Sequence, residues 1–452
     1  MQKIEWIVYT WNQLVWGKYT VCFLLFSGVW FWFKNRSLLI SHPLLILKGS
    51  LYAMSGEKGR QTRKDFYTAL AGTLGIGSIV GVASAIVLGG PGALIWMLVS
   101  GGLGMALKYA ETSLACAYQV RSGTGWIGGA MILLGNVRNR VFLSVCFSLC
   151  CLFAAFGVGA MAPSAAICTS LQSLFHCERW VGAAVVVSAV LVVLVGKTHR
   201  LQQVNAGLLP LVCAVYIGLC IWILVLSRHC LGTLLFAAWN AAFSLQAAGG
   251  GIGGHLLSSA MRYGLTRGLF SHEAGMGSAP LAYASHRCEE PAEQGFLGML
   301  EVFFDSFGIT LLSGLVFLCA WEKIPVQTVD GTLLMSSVFT LYFGSVGGCL
   351  FSVMMILFAF PTILGWYYYA DQCLTYLFTG SFPKIVYLFF FLGSLAGGGI
   401  FHVSLVWAFS DLFNGCMLII NLFTLWSFQK ESIWIGKDYL DRHGLNKCST
   451  KG

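Results

Sequence analysis

The sequence predicts an all-α polytopic membrane protein with about eleven transmembrane helices, and three observations carry that reading. The 452 residues are 57% hydrophobic and only 10% charged, against roughly 25% charged in a soluble domain. Long apolar runs follow one another, and no connection between them is long enough for a separate soluble domain. The basic residues behind the net charge of +9 sit in alternate connections. That is the pattern of positive-inside topology, and it argues against a nucleic-acid partner.

The first span covers roughly residues 19–33. Glu5 and several tryptophans precede it and no small-residue cleavage site stands out, so it reads as a retained helix, not a signal peptide. Residues 34–64 form a polar loop with Lys34, Arg36, Lys48, Lys58, Arg60, Arg63 and Lys64, the strongest cytoplasmic signal in the chain. The second span, about 66–88, contains LAGTLGIGSIVGVA at 70–83, with Gly72, Gly75, Gly77 and Gly81. Each glycine weakens a helix by roughly 1 kcal/mol relative to alanine, so the cluster predicts an interrupted helix. Gly77 and Gly81 also make a GxxxG pair suited to packing. Thr73 and Ser78 argue for more than packing, because they bring hydroxyls to backbone freed at membrane depth. Gly89-Gly90-Pro91-Gly92 then turns the chain into a third span, about 93–118, where Lys108 and Glu111 share a helical face.

Spans four to six are expected at about 141–170, 181–196 and 205–227, separated by loops with Arg138, Arg140, Lys197 and Arg200. Span seven, about 232–254, ends in the glycine string at 249–251, 253 and 254. The semi-polar stretch 255–294, with Arg262, Arg267 and Arg287, reads as surface or re-entrant helices. Span eight, about 296–321, buries Glu301 and Asp305, four residues apart and hence on one face. Span nine runs from about 345 to 370 and on toward Phe378. Spans ten and eleven fall at about 384–400 and 403–428, before a basic tail at 430–452. Eleven spans with the N-terminus outside put the basic loops and this tail on the cytoplasmic side; twelve would put the tail outside.

Carboxylates within spans are costly and mark function by default. Among Glu111, Glu301, Asp305, Asp371 and Asp411, the reading favours Asp305 as partner for an ammonium group or a cation. Asp371 reads as an interfacial residue, and Lys108 as the neutralising partner of Glu111. Gly249, Gly251 and Gly254 fit GxGxxG, but no βαβ unit surrounds them. Ser271-His272-Glu273 has triad residue types, yet sequence neighbours cannot form the relay. The sixteen cysteines contain no CxxC pair, and most sit in apolar runs, where cysteine acts as a small hydrophobe and not as a metal ligand. The chain does not read as an enzyme.

Three long strings carry a family resemblance: GTLGIGSIVGVASAIVLGGPGALIWMLVSGGLGMALKYAE at 72–111, RGLFSHEAGMGSAPLAYA at 267–284 and LGWYYYADQCLTYLF at 364–378. With GFLGMLEVFFDSF and SDLFNGCMLIINL further along, the chain resembles the alanine or glycine:cation symporter family over nearly its whole length. The resemblance implies a LeuT-like core of two inverted five-helix repeats. Repeat one would cover about 65–228 and repeat two about 231–429, with one extra N-terminal helix before the core. It implies sodium-coupled uptake of small neutral amino acids by alternating access in a bacterial inner membrane, with no cofactor beyond the coupling ion.

Carried over by motif, the substrate would meet Thr73, Gly75, Ile76 and Ser78 on the broken span, with Phe156, Asp305, Thr362 and Trp366 completing the pocket. Sodium would sit near Gly72, Thr73 and Thr362. The sequence departs from the family pattern in that site. The usual GTGN is Gly75-Ile76-Gly77-Ser78, and FGIGNMVQ is replaced by FGVGAMAP at 156–163. A Ser-Thr pair becomes Pro361-Thr362, and His272 replaces an asparagine. These changes imply a less polar pocket. They keep open a proton-coupled carrier or exchanger of a different, less polar amino acid and, from another class, a non-transporting membrane sensor or subunit.

Overall fold

The computed structural model describes residues 10–12, 15–35, 42–56, 59–123, 125–194, 198–243, 252–324, 330–400 and 403–443. The glycine string at 249–251 and the tail beyond residue 443 lie outside them. In a low-dielectric slab every backbone N–H and C=O must find a partner within its own segment, and the helix is the simplest solution. The described residues are accordingly almost all helical. The sheet they contain is a hairpin of β1 (Val120–Ser122) and β2 (Gly125–Ile127), antiparallel with Arg121 opposite Trp126.

The chain opens with α1 (Lys18–Lys34) and α2 (Pro43–Ala53), the latter a short apolar helix inside the expected basic loop. The expected broken span is α3 (Gly59–Thr73), a π-helical turn at Gly77–Gly81, and α4 (Val82–Gly89). Gly90, at φ 74°, makes the turn into α5 (Gly92–Ala117). After the hairpin come α6 (Val141–Ala154), a π segment at Ala155–Met161, and α7 (Ala162–Phe175). Then follow α8 (Arg179–Leu194), α9 (Thr198–Leu226) and α10 (Arg228–Phe243).

The second half holds α11 (Ile252–His272) and the short α12 (Pro280–Tyr283). Next are α13 (Pro291–Phe303), a π segment at Phe304–Thr310 and α14 (Leu311–Ala320). The 47-residue α15 (Gly331–Leu377) is capped by Asp330 and kinked at Gly344. The chain closes with α16 (Phe382–Ile400), α17 (Val403–Ser427) and α18 (Gln429–Arg442). Among the described residues, six helical stretches are long and apolar enough to cross a membrane: 59–89 (broken at Leu74–Gly75), 92–117, 141–175, 200–226, 291–320 and 331–377. Shorter apolar helices at 19–34, 179–194 and 382–398 extend the set, and α17 and α18 form a pair bent by 62°. The chain is thus an all-α polytopic membrane protein.

One expectation is displaced. Of the span expected at 232–254, α10 covers the part up to Phe243, and residues 244–251 lie outside the described residues. The stretch read as surface or re-entrant helices supplies an interior helix, which rules out the surface alternative. α11 packs along α5, α4 and the Gly77–Gly81 turn, and every residue from 268 to 284 is buried. Its polar side chains misled the reading because hydrophobicity alone does not reveal that Ser271, His272 and Glu273 have buried polar partners on other helices.

α5 is the central post, flanked by α11 and α13. α3 and α15 approach backbone to backbone: a Cβ on Gly365 would come within 3.0 Å of the Gly72 nitrogen and 3.2 Å of the Thr68 carbonyl oxygen. Small residues permit that approach, and a membrane interior rewards it through dispersion contacts.

Candidate functional site

The helix of α3 ends at Thr73, and the N–H of Leu74 makes one further bond, to the Leu70 carbonyl at 2.7 Å. Leu74 and Gly75 are non-helical, and the helix resumes at Ile76 in a π-helical turn. A break of this kind leaves carbonyls at the end of one half and N–H groups at the start of the other without intrahelical partners. π-helical turns themselves are rare and concentrate at functional positions. Three of them lie inside apolar helical stretches here, and the turns at Gly77–Gly81 and Phe304–Thr310 pack against each other.

Beside the break lies a cavity. Its wall takes Gly72, Thr73, Ile76, Gly77 and Gly81 from the broken helix, Val158 and Ala162 from the α6–α7 stretch, and Thr362 and Trp366 from α15. Arg267, Phe270 and Glu273, from the end of α11 and just beyond it, complete the wall. The Thr362 hydroxyl donates to the Phe358 carbonyl at 3.1 Å, which leaves its lone pairs free, and a Cβ on Gly75 would come 2.4 Å from that oxygen. The charge of Arg267 reaches Asp411 on α17, and its guanidinium lies 5.9 Å from the Phe270 ring. The lining is mostly apolar with a few convergent polar groups, as small-molecule sites usually are.

Of the residues expected around a substrate, Thr73, Ile76, Thr362 and Trp366 meet at this cavity, as does Gly72 from the expected cation group. Gly75 packs against Thr362 from the side of the break. Phe156 stays off the wall and stacks on Tyr387 at 4.9 Å. Ser78 and Asp305 do not line the cavity and belong to a polar cluster of their own. There the Ser78 hydroxyl donates to Asp305 Oδ1 and the Ser271 hydroxyl to Oδ2 at 2.7 Å, with Ser271 3.2 Å from the Thr310 hydroxyl. All four residues are buried, and among the described residues no basic group forms an ion pair with Asp305. Of the departures from the family pattern at 156–163, Val158 and Ala162 line the cavity, whereas Ala160 and Pro163 are buried in packing.

Two further clusters link distant segments. Lys108 Nζ lies 3.2 Å from Glu301 Oε1 and 3.9 Å from Glu111 Oε1, so the expected pair is a trio. At the other cluster, Asp65 on α3 accepts from Gln202 of α9 at 2.8 Å, and from Ser285 and His286, beyond α12, at 2.9 and 2.5 Å. Asp371 pairs with Lys384 at 2.7 Å and is partly exposed, as an interfacial residue would be. Every described cysteine is a free thiol, and among the described residues no group of three or more His, Cys, Asp or Glu is placed to hold a metal ion. Gly77, Gly81, Val158, Ala162, Arg267, Phe270 and Glu273 also line the cavity, and the sequence reading named none of them as site residues, although the RGLFSHEAG string contained the last three.

The chain matches the sodium:alanine symporter family over residues 1–450. It is 32% identical to an uncharacterized transporter of Haemophilus influenzae, with 98% of each chain covered. It is 31% identical to the sodium/alanine symporter AgcS of Methanococcus maripaludis, with 93% of each covered. Among solved structures, a manganese transporter from Eremococcus coleocola shares the fold at a TM-score of 0.51 and 14% identity, covering 81% of this chain and 78% of that one. The chain belongs to the sodium:alanine symporter family.

Proposed function

We propose that this family member is a secondary transporter that carries a small neutral amino acid together with a cation, sodium first among them, and that the cavity beside Leu74–Gly75 holds the substrate. The observation that carries the reading is the break itself. Gly72, Thr73 and Ile76 from the two sides of the break border a mostly apolar cavity together with Thr362, the kind of broken-helix site that transporters use. The amino acid's carboxylate meets the N–H groups where the helix resumes at Ile76, and its side chain meets Ile76, Val158 and Trp366. The cation sits at the carbonyl end of α3, near Gly72 and Thr73, with the Thr362 oxygen as a further ligand. Asp305 serves the cation side of the mechanism and not the substrate, because it lies with three hydroxyls and does not line the cavity.

Under this reading the core is a LeuT-like inverted repeat of α3–α9 and α11–α17, with α1 outside it. α11, interrupted between Glu273 and Ala279, is then the counterpart of α3, interrupted at Leu74. The ends bearing the basic loops face the cytoplasm of a bacterial cell, with the N-terminus outside. Alternating access follows if cation and substrate stabilise the closed arrangement more than either open one. The test is uptake of labelled alanine, glycine and larger neutral amino acids by proteoliposomes, with and without a sodium gradient. Gradient-driven uptake of at least one is expected; no gradient-dependent uptake of any would sink the proposal.

A further inference from the structure

We propose that Trp16, in the segment just before α1, is a positioning residue for the substrate cavity: it fixes the Arg267–Phe270 side of the wall and so tunes which amino acids the carrier accepts. The inference rests on the transport reading above, in which α1 stands outside the repeated core. Trp16 sits in a helical turn, with its backbone N–H donating to the Asn12 carbonyl at 2.8 Å. Its indole Nε1 donates to the main-chain carbonyl of Asp411 at 2.7 Å, and its ring lies 5.0 Å from the Phe270 ring, tilted by 52°. A packed indole needs an acceptor for its one N–H and an apolar face for its body. Trp16 finds the first on α17 and the second on α11.

The seat for this side chain is built into α17. A helical carbonyl serves the N–H four residues on and keeps a second lone pair. The Asp411 carbonyl can therefore take Trp16 as well, provided that nothing covers it. The residue four positions on is Gly415. A Cβ there would run into the Val15 side chain and lie 2.8 Å from Trp16 Nε1. The missing side chain at 415 is what admits Val15, 8% exposed, and Trp16 against the helix.

What Trp16 touches leads to the cavity. Phe270 lines it, and so does Arg267, whose guanidinium lies 5.9 Å from the Phe270 ring. Arg267 is also the charge that acts on the Asp411 carboxylate. One tryptophan thus steadies Phe270 through its ring and, through its N–H, the backbone of the residue that faces Arg267. The other indole contacts of α1 are different. Trp30 donates to Gln429 at 3.0 Å and stacks on Trp426 at 5.4 Å, and Trp32 donates to the Gly102 carbonyl at 2.6 Å. These fasten α1 to α17, α18 and α5 at residues that do not line the cavity. Deleting the indole of Trp16 leaves a void beside Phe270. The ring then has room to retreat, which loosens the fit of a small substrate and admits a larger one.

The experiment uses the purified full chain in proteoliposomes under a fixed sodium gradient, with uptake of labelled glycine, alanine, valine and leucine followed over a range of concentrations. In Trp16→Ala the half-saturating concentration of the smallest amino acid transported should rise about tenfold, with larger ones losing less. Trp16→Phe keeps a ring beside Phe270 without the N–H and should fall between Trp16→Ala and the wild type. Should Trp16→Ala fail to fold, Gly415→Ala displaces the same segment with Trp16 intact and should shift half-saturation in the same direction. Trp30→Ala is the control for packing alone: it should lower the melting temperature and leave half-saturation where it was. Variants at Trp16 and Gly415 that keep the wild-type half-saturation and order of preference overturn the inference and leave the transport reading standing, whatever happens to their maximal rate. So does a Trp30→Ala that shifts half-saturation as far as Trp16→Ala. A wild type that takes up none of the four amino acids overturns both.

Discussion

The Asp65–His286 contact is where a single substitution should have the largest and most diagnostic effect on stability. Asp65 is fully buried on α3, and its carboxylate gathers four donors, Gln61, Gln202, Ser285 and His286. They come from α3 itself, from α9 and from the connection after α12, so one residue ties three segments at the end of the molecule that carries Arg60 and Arg63. His286 is 23% exposed and lies outside the spans. Burial works against its charge, but the hydrogen bond to Asp65 and the attraction of that carboxylate outweigh burial and raise its pKa above the ordinary histidine range. Cys288 is the other ionisable group acting on it, and its Nε2 lies 3.4 Å from the Thr62 hydroxyl.

Replacing His286 by alanine leaves a buried carboxylate with neutral donors only. Breaking a fully buried pair from one side costs about 3–5 kcal/mol, and the partial exposure of His286 lowers this to about 2–3 kcal/mol. The sign of the pH effect follows from the raised pKa. The stabilisation is complete below the unfolded value, about 6.5, and is lost as pH climbs through the folded value. Wild-type protein in detergent should therefore melt at a higher temperature at mildly acidic than at alkaline pH. His286→Ala should be less stable in acid and lack that slope, while Asp65→Asn with His286→Ala should recover part of the loss. Melting followed by tryptophan fluorescence across this pH range checks the claim. A His286→Ala protein with the wild-type melting temperature and pH slope would refute the reasoning.

Two further substitutions probe the site. Gly365→Ala drives a methyl to within 3.0–3.2 Å of α3 backbone atoms. The helices must part at the height of Gly72, at a cost of about 1–3 kcal/mol, and uptake should fall further than thermal stability; uptake at the wild-type rate would contradict the close packing. Asp305→Asn keeps the size of the side chain but removes the charge that Ser78 and Ser271 face. The sodium concentration for half-maximal uptake should rise while substrate selectivity is unchanged, and an unaltered sodium curve would remove Asp305 from the cation side of the mechanism.

How much of this was legible in the sequence depends on how far each residue's partner lies along the chain. The break at Leu74–Gly75, the turn at Gly90 and the Lys108–Glu111 pair were readable because glycine density, GGPG and helical spacing act within one or two turns. The partners of Lys108 and Asp65 were not, since Glu301 and His286 arrive from nearly two hundred residues away or more, and no local pattern encodes them. Spacing also does not name partners: Glu301 and Asp305 are four apart and both fully buried, yet Glu301 meets Lys108 and Asp305 meets Ser78.

The same limit explains the misplacement of α11. An average over Arg262, Arg267, Ser271, His272 and Glu273 describes a surface, but a membrane interior accepts polar side chains when each meets another. Here Ser271 meets Asp305, His272 meets Ser100, and Arg267 reaches Asp411. The polarity that disqualified the segment as a span is what qualifies it as the second wall of the cavity. The stretch that ends α11 is therefore better read as an interior helix beside the cavity than as a surface helix.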